Sequence, residues 1–178
     1  MDKVRWGILA TGGIAGAFAR GLKKSKTGTL VAVGSRTQEK ADAFCAEHGG
    51  KGYATYQGVA DDPEVDAVYI ASPHHLHVAD TIMCAKAGKH ILCEKPFTLD
   101  AAEAEQALAV VKENDVYFCE AFMYRFHPQT QAVLKLVREG AVGKVGHIRA
   151  EFSFQAGRDW QNFRTSRVVG GGGTMDVG

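Results

Sequence analysis

Glu94, Lys95 and Pro96 stand together at the end of an apolar run, HILC (His90–Cys93). A lysine at the mouth of a buried strand can touch a substrate hydroxyl or carbonyl oxygen. It can stabilise negative charge developing there and pass a proton. Glu94 can pair nearby and limit the motion of Lys95. Pro96 fixes its own φ and restricts Lys95 to extended backbone. Without context, the triplet reads equally well as a strand exit with solvated charges.

A second group is ATGGIA, residues 10–15. The dinucleotide fingerprint G-x-G-x-x-G/A would start with glycine where this chain has Ala10, while Gly12 and Ala15 fit it. Ala10, Thr11, Gly12, Gly13 and Ile14 are therefore the expected cradle of a pyrophosphate. Gly12 lets the phosphate approach, and the following helix offers free N–H groups and a positive dipole end. The alternative is a tight turn that holds no ligand. The next candidate strand ends in GSRTQEK, with Ser35, Arg36 and, one turn on, Lys40. A carboxylate here would favour a ribose 2′-hydroxyl, whereas a guanidinium suits a 2′-phosphate. NADP is thus favoured over NAD, the alternative being that Arg36 is only an exposed loop charge. In SPHHLH, Ser72 and Pro73 end a strand where the nicotinamide half of a dinucleotide would pass, with His74 and His77 close by. No H-E-x-x-H or similar pattern supports a metal among these histidines. His48 and His90 read as structural.

These groups need elements to hold them. VRWGILA, LVAVGS, VDAVYIAS, HILC and VYFCEA read as strands, alternating with helix-period segments. Thr37 is an expected helix N-cap, Asp100-x-x-Glu103 an expected capping box, and Gly88 an expected helix stop. Apolar strands alternating with helices imply a doubly wound parallel sheet, α/β, over residues 1–121. After Phe122 the pattern changes. TQAVLKLVREG reads as an amphipathic helix. VGHIRAEFSF alternates with period two, placing Ile148, Phe152 and Phe154 on one face. Residues 122–178 are expected to begin an incomplete second domain of α+β type with an antiparallel sheet. One strand and a glycine run cannot build a sheet with its own core, so the sequence is expected to be a piece of a longer one.

Lysine and arginine number 21 against 20 acidic residues, which argues against nucleic acid or a membrane surface as a partner bound by bulk charge. There is no apolar run of membrane-spanning length and no signal-peptide pattern at the N-terminus, so a cytoplasmic location is expected. The four cysteines (Cys45, Cys84, Cys93, Cys119) lack C-x-x-C spacing and read as reduced core thiols.

GILATGGIA, SPHHLH, GKHILCEKP and GGGGTMDVG occur in this order. With them the chain resembles the Gfo/Idh/MocA oxidoreductases, the glucose–fructose oxidoreductase and inositol dehydrogenase family. The Ser-Arg pair and EAFMYRFHP look most like its NADP-linked dihydrodiol or sugar dehydrogenase branch. The resemblance implies an N-terminal Rossmann domain and a C-terminal domain with a large open sheet. It implies hydride exchange between nicotinamide and a CH–OH group of a sugar, cyclitol or diol, and a homodimer or homotetramer. It assigns Lys95 the substrate-facing, proton-transferring role and Glu94 the nicotinamide ribose, and it suggests a cis Lys95–Pro96 bond. The family's Asp-x-Gly-x-His (or Tyr) motif is present only as Asp176-Val177-Gly178, its second acid/base residue falling beyond Gly178. Tyr124 and Arg125 could line the substrate cleft, and Arg164 and Arg167 could reach phosphate or substrate, unless they are only structural. A nucleotide-sensing regulator without chemistry is the competing reading, as is a cofactor-binding fragment that is inactive by itself. Regulators in the family tend to lose the lysine that this chain keeps.

Overall fold

The computed structural model describes residues 3–154, 166 and 169–177. Among the described residues, six strands form one sheet: β1 (Val4–Leu9), β2 (Gly28–Gly34), β3 (Lys51–Tyr53), β4 (Ala67–Ile70), β5 (His90–Cys93) and β6 (Phe118–Glu120). They lie in the order β3-β2-β1-β4-β5-β6, and every neighbouring pair is parallel. The chain order reverses between β1 and β4, which opens a crevice at the carboxyl ends of the strands.

Successive side chains of a strand face opposite ways, and both faces here are covered. Leu9, Val68, Ile70 and Cys93 pack on one face against α4 (His77–Lys86), α5 (Ala101–Glu113) and the short α3 (Tyr56–Ala60). Ile8, Val33 and Tyr69 pack on the other against α1 (Gly13–Lys24) and α2 (Gln38–His48). This double burial is why the strands read as continuous apolar runs. Thr37 caps α2 by accepting the Lys40 N–H at 3.4 Å. Asp100 caps α5 by accepting the Glu103 N–H at 2.9 Å, while the Glu103 carboxylate accepts the N–H of Leu99 rather than that of Asp100. Gly88 ends α4 with φ +70.

Three features depart from the sequence reading. The strand β3 and helix α3 have three and five residues, too few to show a hydrophobic period, yet α3 buries Val59 and Ala60 completely enough to close the core beneath β1. The segment 145–154, expected as a half-buried strand, has no strand pairing among the described residues. Its would-be inner face is open, with Ile148 78% and Phe152 71% exposed. A period of two supplies a face but no partner, and a lone strand leaves its backbone groups unpaired. Cys84 and Cys93 are buried, with burial pushing both thiols upward, but Cys119 on edge strand β6 is exposed rather than a core thiol. The amphipathic helix α6 (Pro128–Arg138) is as expected, and a short helix, α7 (Gly173–Val177), follows the glycine run. Among the described residues, no helix is long and apolar enough to cross a membrane.

Gly7 marks the tightest point of the sheet. A Cβ there would lie 2.5 Å from Val59 Cγ1 and 3.2 Å from Val65 Cγ1, both in buried side chains. Gly7→Ala is therefore expected to cost ~1–3 kcal/mol, as overpacking in a closed core does. Urea denaturation would read it as a lower midpoint at unchanged slope, and an unchanged midpoint would show that α3 moves freely.

Candidate functional site

The β1–α1 turn stands at the reversal of strand order. Ala10 takes φ +75, the left-handed conformation that glycine adopts without cost, so alanine here keeps the turn at the price of strain. Gly12 is the N-cap of α1 and makes no side-chain cap. A Cβ on Gly12 or Gly13 would meet nothing within 4 Å, so the backbone lies open to a close ligand. The first turn of α1 contains no acidic residue to repel an anion. Ala15 is fully buried against Ile8 and Val33 and seats the helix on the sheet. The turn thus fits a pyrophosphate: open glycines, unpaired helix N–H groups and no competing charge.

Ser35 is buried, its hydroxyl 3.5 Å from that of Thr11, and therefore braces the turn. Arg36 and Lys40 are exposed at the carboxyl end of β2. Tyr56 flanks Arg36: burial raises its phenol, the Asp80 charge adds to this, and Arg36 opposes it.

At the end of β4, the Ser72 hydroxyl donates to the Asp80 carboxylate at 2.5 Å in a buried site. Burial pushes the Asp80 carboxyl upward against that bond. Pro73 is exposed. His74 is buried, its Nδ1 3.3 Å from the Gly170 carbonyl oxygen, and burial lowers its affinity for a proton. His77 begins α4 with 0% exposure, its ring nitrogens 2.8 Å from Pro96 O and 2.9 Å from Ser72 O. His77 starts α4, as the sequence reading expected, and its ring is enclosed by the chain's own backbone.

The end of β5 carries the triplet. The Glu94 N–H donates to Ile70 O at 2.9 Å, extending the β4–β5 pairing by one step. The Glu94 carboxylate accepts the Tyr69 hydroxyl at 2.5 Å and the Lys95 N–H at 3.2 Å. Burial, then the bond to Glu94, pushes the Tyr69 phenol far up, so it stays a donor. The Lys95–Pro96 bond is cis. Lys95 Nζ donates to both the carbonyl and the carboxylate Oδ1 of Asp176, each at 2.5 Å. Asp176 rides on α7, placed by the glycine run. Gly170 has φ +79, and a Cβ on it would sit 2.5 Å from Leu99 Cδ2. Only glycine lets that backbone lie against Leu99 and His74.

The structure therefore gathers Lys95, Glu94, Asp176 and His74 at one edge, beside the β1–α1 turn. Next to them lies a groove of about 320 Å³ lined by Ile14, Phe18, Tyr69, Glu94, Phe122 and Phe126. Tyr124 and Arg125 are exposed in the turn after β6 and do not line this groove. Arg164 and Arg167, expected to reach phosphate or substrate, lie outside the described residues. Tyr69, Asp80 and Glu120 were not singled out from sequence. Glu120 Oε1 accepts the Phe97 N–H at 2.9 Å, just past the triplet. The available signal was a polar atom on a face that must be buried, such as Tyr69 within VDAVYIAS, since such an atom requires a partner.

Comparison with known proteins follows the same lines. Residues 4–122 match the model of the oxidoreductase family with an NAD-binding Rossmann fold, GFO/IDH/MocA. A trans-1,2-dihydrobenzene-1,2-diol dehydrogenase from Xenopus tropicalis is 34% identical over 98% of this chain and 53% of its own length. A D-xylose 1-dehydrogenase (NADP(+)) from Hypocrea jecorina is 32% identical over 98% of this chain and 50% of its own. Among solved structures, a 3-ketoreductase from Actinomadura kijaniata in complex with NADP and TDP-benzene superposes with a TM-score of 0.87. It shares 31% identity over 99% of this chain and 54% of its own. The chain spans about half the length of the curated relatives it matches.

The strain at Ala10 is open to test. Ala10→Gly is expected to stabilise the chain by ~1 kcal/mol, because it relieves a left-handed alanine. Ala10→Val is expected to cost ~1–2 kcal/mol. Denaturant midpoints compare the three proteins, and a less stable glycine variant would refute the strain.

Proposed function

The chain belongs to the Gfo/Idh/MocA oxidoreductase family, with its NAD-binding Rossmann fold, and on that premise we propose that it serves an NADP-dependent dehydrogenase or reductase. The substrate class is a sugar, cyclitol or related diol, reacting at a secondary alcohol or the corresponding carbonyl. The observation that carries this reading is the Lys95 ammonium, delivered by β5 to the crevice edge and paired with Asp176. When bound, a nicotinamide cofactor supplies or takes up the hydride.

The chain's own residues do the remaining work. A lysine ammonium has three N–H donors, and Asp176 accepts two from Lys95. In the reductive direction Lys95 Nζ gives a proton to the substrate oxygen as negative charge develops on it. In the oxidative direction the neutral amine takes that proton back. Asp176 orients the ammonium, and Glu94, held by Tyr69, fixes the backbone of Lys95 and offers its carboxylate to a ribose hydroxyl. Gly12, Gly13 and the start of α1 take the pyrophosphate, while Arg36 with Lys40 favours a 2′-phosphate over a bare hydroxyl. The Hypocrea jecorina relative bears NADP(+) in its name, and the Actinomadura kijaniata structure was solved with NADP, which supports this choice. Residues 122–178 are proposed to open a second, substrate-binding domain, and the assembled protein is proposed to be a homodimer or homotetramer.

Two measurements test the reading. Lys95→Ala in the full-length protein is expected to lower kcat by roughly 10²–10⁴-fold, the usual worth of a positioned acid/base group, and normal turnover would sink the mechanism. NADPH is expected to bind more tightly than NADH, with Arg36→Ala erasing roughly 10–100-fold of that preference, the worth of a charge-assisted hydrogen bond. Equal affinities in the unaltered chain would refute the cofactor assignment.

A further inference from the structure

His77 faces two acceptors. Its Nδ1 lies 2.8 Å from the Pro96 carbonyl oxygen and its Nε2 2.9 Å from the Ser72 carbonyl oxygen, in a ring with 0% exposure. Backbone carbonyls only accept hydrogen bonds, and a neutral imidazole has one N–H to give. With one proton, a ring nitrogen would turn its lone pair on a carbonyl oxygen at hydrogen-bond distance, in a ring shielded from bulk solvent. With two, both contacts become bonds.

The contacts join the two strand ends that frame the site. Ser72 follows β4, and Pro96 follows Lys95 at the end of β5. On its near side, the Lys95 step is tied to β4 by the Glu94 N–H on Ile70 O at 2.9 Å. On its far side, the tie to β4's exit is His77. Asp80 lies one turn further along α4, and its carboxyl, which accepts from Ser72, feels the His77 ring as a favourable charge. His74 lies across the turn with its ring centroid 5.7 Å away; burial lowers its proton affinity, the bond to the Gly170 carbonyl opposes this, and the His77 ring lowers it further. Beyond these, His75 faces Asp80, and Lys95 and Asp176 face His74.

We propose that His77 donates from both ring nitrogens and acts as a positioning residue, clasping the Pro96 carbonyl to the Ser72 carbonyl so that Lys95 enters the crevice in one orientation. The proposal rests on the reading of Lys95 as the proton-transferring group. It gives the fully buried histidine of SPHHLH, His77, a structural part in positioning Lys95.

The clasp and its consequence are measured separately. Long-range ¹H–¹⁵N spectra of the labelled chain at neutral pH read the ring directly, with His77→Gln and His77→Asn assigning its signals. Two protonated nitrogens are expected, and one bare nitrogen would overturn the clasp without any reference to activity. The consequence is read from a double-mutant cycle in the full-length protein. His77→Gln is expected to lower kcat by up to roughly 10²-fold, the cost of misplacing a reacting group by about 1 Å, and to cause no further loss in a Lys95→Ala background. Equal fold losses with and without Lys95 would reduce His77 to a general structural role and overturn the proposal. If Lys95→Ala alone kept normal turnover, the reading of Lys95 would fail and the positioning role with it, while the ring spectrum would still decide the clasp.

Discussion

The arrangement at the crevice depends on the register between β4 and β5. Ile70 pairs with Cys93, and the ladder continues one step to Glu94. A slip of one residue would turn every side chain of β5 to the opposite face. Glu94 would leave Tyr69, and the Pro96 carbonyl would leave His77. Both faces of these strands are buried, with Val68 and Ile70 on one side and Tyr69 on the other, so a slip would expose apolar side chains in two layers at once. The core thereby fixes where Lys95 emerges.

Around that register, burial sorts the titratable groups by charge. The Tyr69 phenol is pushed up and stays protonated, which keeps it a donor to Glu94. His74 is pushed towards its neutral form, and the Asp80 carboxyl is pushed up while a serine hydroxyl holds it. Lys95, partly open to solvent, retains an anionic partner in Asp176. The result is a lysine at the crevice edge beside groups whose proton affinities burial has shifted.

Much of this was legible in the sequence, for identifiable reasons. Five of the strands are dominated by apolar residues because most of a doubly covered parallel sheet is buried on both faces, and that pattern survives without any knowledge of contacts. The caps at Thr37 and Asp100 could be read because capping is local chemistry between residues three apart. Strand β3 and helix α3 escaped, since elements of three and five residues carry no period. Period two in 145–154 gave a face but could not supply a neighbouring strand. Ala10 looked like a defect in the glycine fingerprint, yet its backbone takes the left-handed turn that the motif requires. Tyr69, Asp80 and the enclosure of His77 were hidden because each depends on a partner distant in sequence or across a turn, which residue type alone does not name.

The sheet tapers at both sides. Its outermost strands, β3 and β6, have three residues each. An edge strand offers its unpaired N–H and C=O groups as a template for another chain, and the template is only as long as the strand. A foreign strand laid against either side of this sheet could form only a few backbone bonds before the pairing ran out. The same crossovers that bring β1 and β4 to the centre thus leave short flanks, which limits edge-to-edge pairing without shortening the strands beside the crevice.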